Sequence, residues 1–173
     1  MLPIEYRWLE KEPGPRMLLE ALKLYGTEEV VGTFHNTEIL DWADEIGCGK
    51  VYSNDEIPWC GLFVGVVAHR AGKPIPANPL WARNWNTWGE KCDAELGCVL
   101  VFGRDGGGHV GLYVGEDDQR YYVLGGNQGN KVCIKPIDKD RLLACRSLYA
   151  VGKPPNVRKI KLTKGGEPSR NEQ

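Results

Sequence analysis

The apolar positions of this chain change period once. From residue 17 onward Met17, Leu18, Ala21, Leu22 and Tyr25 recur at helical spacing, preceded by Pro13-Gly14-Pro15 and stopped by Gly26. Proline near the first turn and glycine just past the last mark the two ends of a helix. Ile39, Leu40, Ala43 and Ile46 predict a second, short helix, with Asn36 as its cap and Gly47 as its stop. The run from Trp59 to Arg70 is apolar nearly all round, as a helix buried in mid-domain must be, and Ala71-Gly72 ends it. A fourth helix is expected around 79–89, where Trp81, Trp85 and Trp88 fall at i, i+4 and i+7. This stripe reads as core packing, with a wall that stacks sugars or peptides as the other reading.

After Gly97 the period becomes alternating. Residues 98–102, 109–114, 121–124, 131–134 and 143–148 read as five short strands, separated by turns such as Arg104-Asp105-Gly106-Gly107-Gly108, Gly115-Glu116-Asp117-Asp118 and Gly129-Asn130. Helices followed by a meander of strands predict an α+β domain with an antiparallel sheet. The domain is expected to span 1–152. Residues 153–173 carry Pro154, Pro155, Gly165, Gly166 and Pro168 among many charges and read as a loosely packed tail.

Composition narrows the classes. Across 173 residues, 22 Lys+Arg against 23 Asp+Glu leave no basic footprint for nucleic acid. No apolar run approaches the ~20 residues that span a bilayer, and membrane insertion is not expected. Met1-Leu2-Pro3-Ile4-Glu5-Tyr6-Arg7 lacks a basic stretch leading into an apolar one, so a secretory signal is not expected and synthesis in the cytoplasm is. In that compartment the six cysteines (48, 60, 92, 98, 133 and 145) stay mostly reduced. Their spacing shows neither Cys-x-x-Cys knuckles nor a histidine pair, so no metal is expected; Cys92 and Cys98 would bridge if the protein works in an oxidising space.

One constellation carries chemistry. Cys60 begins the buried helix, where the helix dipole and unpaired N–H groups stabilise a thiolate and can receive an oxyanion. In His109-Val110-Gly111-Leu112-Tyr113-Val114 the residues Val110, Leu112 and Val114 share one strand face, expected to be the core face, and His109, Gly111 and Tyr113 share the other. Asn127 or Gln128, one strand later, can hold the imidazole in the tautomer a base needs. Asp105, Asp117 and Asp118 read as solvated turns, His35 as a structural or exposed residue, and His69 as a partner of the helix C-terminus. Arg83 leaves open a bidentate clamp on a substrate carboxylate or an ion pair within the chain, and Trp59 a core anchor or a groove wall.

Several segments together resemble the NlpC/P60 and CHAP-like cysteine hydrolases of papain-like fold, in a subgroup common among phage lysins. These are Gly32-Thr33-Phe34-His35-Asn36, Asp55-Glu56-Ile57-Pro58-Trp59-Cys60-Gly61-Leu62-Phe63-Val64, Ala82-Arg83-Asn84-Trp85 with Trp88-Gly89, Gly108-His109-Val110-Gly111-Leu112-Tyr113-Val114-Gly115, and Val123-Leu124-Gly125-Gly126-Asn127-Gln128. The resemblance covers about residues 17–148. It implies Cys60 as nucleophile, His109 as general base and then acid, and Asn127 as orienting residue, with Trp59, Glu56, Gln128 and Arg83 binding substrate or supporting the site. Some CHAP relatives place a carboxylate where this chain has Gly125, so Asn127, Gln128 and Glu56 share the candidacy for third member. The implied substrate is bacterial peptidoglycan, cut at an amide of the stem peptide or at the sugar–peptide junction without metal or cofactor, at the wall after lysis or delivery, as a phage endolysin would act. His109 would take the Cys60 proton or hold it as a preformed thiolate–imidazolium pair; such a thiol would alkylate before the other five. Two alternatives stand beside it: a catalytically silent wall-binding module of the same fold, and a papain-like toxin acting on another acyl substrate.

Overall fold

A computed structural model describes residues 1–30, 32, 34–55 and 57–163. Glu56, Thr33 and the tail from residue 164 lie outside the described residues. The chain is α+β: helices come first, and a six-stranded antiparallel sheet follows.

A 3₁₀ helix, Ile4–Lys11, precedes the first predicted helix and buries Tyr6 and Leu9. Helix α1 (Arg16–Lys23) turns Met17, Leu18 and Ala21 inward. Helix α2 (Thr37–Glu45) starts as its cap predicts, with the Asn36 side chain accepting the N–H of Glu38 at 2.9 Å. Helix α3 (Cys60–Arg70) is buried from Cys60 through Ala68 and packs against both α1 and α2 and against the sheet, which explains why it has no polar face. His69 emerges at its end, exposed, and Arg70 pairs with Glu45 at 2.7 Å. The segment expected to form a fourth helix is a 3₁₀ turn, Ala82–Thr87. Trp85 and Trp88 are core, their indole N–H groups donating to the carbonyls of Pro79 and Pro74, while Trp81 is 74% exposed.

The sheet runs β1 (Glu90–Lys91), β6 (Leu142–Ser147), β2 (Val99–Arg104), β3 (Gly107–Glu116), β4 (Arg120–Gly125) and β5 (Cys133–Asp138) in spatial order. Five strands answer the five predicted, the fourth of them displaced from 131–134 to Cys133–Asp138; the two-residue β1 adds an edge that pairs with β6. In the β2–β3 hairpin Gly107 and Gly108 already belong to β3, so its tip is only Asp105-Gly106.

Two expectations need correction. Tyr113, assigned with His109 to the face away from the core, is fully buried: its hydroxyl donates to the Ile160 carbonyl and accepts the Ile160 N–H. The reason is that the chain after residue 153 is not loose up to 162. Val157, Ile160 and Leu162 are buried, and at the end of β3 the Glu116 N–H donates to the Ile160 carbonyl while the Leu162 N–H donates to the Glu116 carbonyl. Ile160 and Leu162 cover that surface. Buried Glu116 meets Lys139 at 3.2 Å and Lys159 at 3.3 Å.

Candidate active site

Cys60 is the first residue of α3 and 5% exposed. The backbone N–H groups of Val110 and Gly61 act on its sulfur and favour the thiolate, yet burial outweighs them and pushes the thiol above its ordinary range. Val110 directly follows His109, so the first turn of α3 sits on β3 beside the imidazole. No direct hydrogen bond joins Cys60 to His109 among the described residues.

His109 Nε2 lies 2.9 Å from Gln128 Oε1. The Gln128 amide nitrogen donates to the carbonyls of Val123 at 3.0 Å and Cys133 at 2.6 Å, which leaves its oxygen as the atom facing the ring. That oxygen can only accept, so Nε2 carries the proton and Nδ1 is the basic nitrogen. Burial lowers the His109 pKa to about 4; Gln128 works in the opposite direction, and Arg104 and Arg141 reinforce the lowering. Burial thus disfavours both charges of the thiolate–imidazolium pair expected from the helix dipole. Both shifts favour a neutral thiol and a neutral imidazole.

Asn127 stands at φ 54° and turns the chain between β4 and β5. Its neighbour Gln128 points inward and is the residue that meets His109. The turn seats tightly on α3, since a Cβ at Gly126 would fall 2.6 Å from the Phe63 Cβ and 2.8 Å from the Trp59 ring. A Cβ at Gly125 would lie 3.0 Å from Gln128 Oε1 and 3.3 Å from His109 Nε2. The missing carboxylate at 125 and the presence of Gln128 are therefore linked: a side chain at 125 would occupy the place of their hydrogen bond.

Trp59 is a core anchor, fully buried, edge-on to Trp42 at 6.1 Å and donating to Glu29 at 2.9 Å. It does not line a groove. Asp55, also fully buried, gathers the loop before α2: it accepts the N–H groups of Val30 at 2.9 Å and Asn36 at 2.8 Å and meets His35 Nδ1 at 2.9 Å. Burial alone would raise its pKa, but these hydrogen bonds outweigh it and lower the pKa. His35 is thus a structural partner of the cysteine loop.

Arginines, which the sequence signalled only at Arg83, gather next to this pair. Arg83, Arg104 and Arg141, with Asp105 and Gly103, line a cavity of about 530 Å³. Arg83 and Arg141 each spend Nε on a backbone carbonyl, of Gly107 at 2.8 Å and Gly103 at 3.1 Å. Among the described residues none of the three forms an ion pair with a carboxylate. Exposed Trp81 adjoins them in a second cavity with Arg83 and Gly106-Gly107-Gly108. Among the described residues Arg83 thus has no carboxylate partner, in keeping with the clamp reading. No helix among the described residues is long and apolar enough to cross a membrane. No family model matches this chain, and no curated protein or solved structure matches it either.

Proposed function

We propose that the chain is a cysteine hydrolase of papain-like, NlpC/P60–CHAP type that cleaves an amide bond in bacterial peptidoglycan. The observation that carries this reading is a thiol at a helix start that meets the backbone of Val110, next to a histidine whose Nε2 is held by an immobilised amide. His109 Nδ1 accepts the Cys60 proton as sulfur attacks the amide carbonyl. The carbonyl π electrons move onto oxygen, and backbone N–H groups at the start of α3 hold that oxyanion. Collapse breaks the C–N bond, and His109 hands its proton to the leaving amine. Water then gives a proton to His109 and attacks the thioester, releasing the acid and restoring the thiol.

The arginines, which form no ion pair among the described residues, and exposed Trp81 suit a substrate that carries carboxylates and flat peptide surface, as wall stem peptides do. The test is mass spectrometry of soluble products after incubating purified peptidoglycan with wild-type protein and with Cys60→Ala. Stem peptides or cut stems released only by wild type support the hydrolase and name the bond. If folded wild type releases nothing from several wall chemotypes, the hydrolase reading fails for peptidoglycan.

The silent wall-binding module draws on one observation, the missing Cys60–His109 hydrogen bond. It expects sedimentation with walls but no soluble product from either protein.

A further inference from the structure

Three sulfurs meet at the far side of the sheet from Gln128, and nothing in the proposed hydrolysis uses them. Cys92 follows β1, Cys98 precedes β2 and Cys145 lies in β6, the strand between them. All three Sγ atoms fall within 4.8 Å of one another, with Cys92 at 3.4 Å from both Cys98 and Cys145. Cys98 and Cys145 are buried and Cys92 is half-buried. Thiols are weak hydrogen-bonding groups, and such convergence of three sulfurs, one from β6 and two from the segment joining β1 to β2, suits a thiophilic cation. A Zn–S bond of about 2.3 Å in a tetrahedral array holds sulfurs roughly 3.8 Å apart, within the observed spread. Next to the cluster, the buried Nε of Arg146 has no hydrogen-bond partner among the described residues. Its guanidinium supplies positive charge where three thiolates around a divalent ion would leave one net negative charge. Arg146, Ser147 and Tyr149, with Gly97 beside Cys98, also line a cavity of about 260 Å³.

We propose that Cys92, Cys98 and Cys145 form a Zn²⁺ site with three thiolate ligands and a fourth position left to water or a small solute. Binding forms three Zn–S bonds, and each sulfur that still carries a proton gives it to solvent; no electrons move. The ion would tie the two-residue edge strand β1 to β6 and β2. The site is independent of Cys60 and stands or falls apart from the hydrolase reading.

The test uses reduced, full-length protein stripped with a chelator and titrated anaerobically with Co²⁺, then Zn²⁺. The expected result is a thiolate-to-cobalt charge-transfer band saturating at one equivalent, bleached by Zn²⁺, with a higher melting temperature in Zn²⁺. Cys98→Ser and Cys145→Ser should each weaken binding at least ~100-fold, while Cys133→Ser, a buried thiol outside the cluster, should leave it unchanged. Absence of the band overturns the proposal, as does a band that survives both substitutions. So does a Cys92–Cys98 or Cys92–Cys145 disulfide as the resting state of protein purified without added oxidant.

Discussion

Gln128 fixes the tautomer of His109: its amide nitrogen is committed to two carbonyls, so its oxygen accepts the Nε2 proton at 2.9 Å and leaves Nδ1 basic. Gln128→Ala should therefore lower the turnover of wall peptide on the order of 10²-fold with little change in KM. Asn127→Ala should act mainly on the turn. Gln128→Glu sets a carboxylate against the ring, so the acid limb of the kcat/KM profile should move upward by about 1–3 pH units. An unmoved limb would remove Gln128 from the mechanism.

Acid should weaken the fold through His109. Its folded pKa is lowered to about 4, against about 6.5 for an unfolded imidazole. Between those values the unfolded chain binds the proton that the folded chain refuses, so stability falls as pH drops through this window. The ring is not fully shielded from solvent, which limits the effect to about 1–2 kcal/mol. Urea unfolding at pH 7 and pH 4.5 should show this loss in wild type and a smaller one in His109→Ala.

Much of this architecture was legible because it depends on local pattern. The all-apolar run of α3, the Asn36 cap and the alternating strands are properties of neighbouring residues, and the structure has all of them. What stayed hidden depends on register and on distant packing. Asn127 and Gln128 are adjacent amides, and only the φ of 54° at Asn127 decides which one turns inward. Cys145 joins Cys92 and Cys98 through strand pairing across about fifty residues, which no cysteine spacing reveals. The covering of Tyr113 by Ile160 was hidden because a charge-rich segment conceals three apolar residues at 157, 160 and 162. Arg141 and Arg104 meet only because β6 pairs with β2.

Alkylation should not report Cys60 first. That thiol is buried and its pKa is raised by burial, whereas Cys92 is half-buried and the hydrogen bonds of Cys145 and Cys98 hold its thiol well below the ordinary range. Limited iodoacetamide treatment of metal-free protein at pH 7, read by peptide mass spectrometry, should modify Cys92 before Cys60. The reverse order would mean that Cys60 is activated in the resting site after all.

The arginine-lined cavity should act on affinity. Arg104→Gln and Arg141→Gln each remove a cation that forms no ion pair among the described residues, so the folded state loses little. KM for an acidic stem peptide should rise several-fold to about tenfold per substitution, in line with roughly 1 kcal/mol for a partly exposed charged contact. A stem peptide with amidated carboxylates should show a smaller change, and equal effects on both substrates would sink the assignment. Because the same arginines lower the His109 pKa, each variant should also move the acid limb slightly upward.

Gly125 is where the site should be most sensitive to a single methyl group. Its Cβ would stand 3.3 Å from Nε2 and 3.0 Å from Oε1, tighter than ordinary contact with both atoms of one hydrogen bond. Gly125→Ala should therefore lengthen or break that bond and lower kcat, by roughly tenfold or more. The global cost should be modest, because the conflicting atoms are side-chain termini, although Gln128 has little room to retreat while its nitrogen holds two carbonyls. The measurement that separates positioning from simple damage is the ring itself: nitrogen-15 shifts of His109 should report a single Nε2–H tautomer in wild type and a mixture in Gly125→Ala. Gly125→Asp carries the argument one step further. With Gln128→Ala in the same chain, the new carboxylate takes the vacated place beside Nε2, so the double variant should recover part of the activity that each single variant loses. Two losses that simply multiply would show that the glycine and the glutamine do not share one position against the histidine.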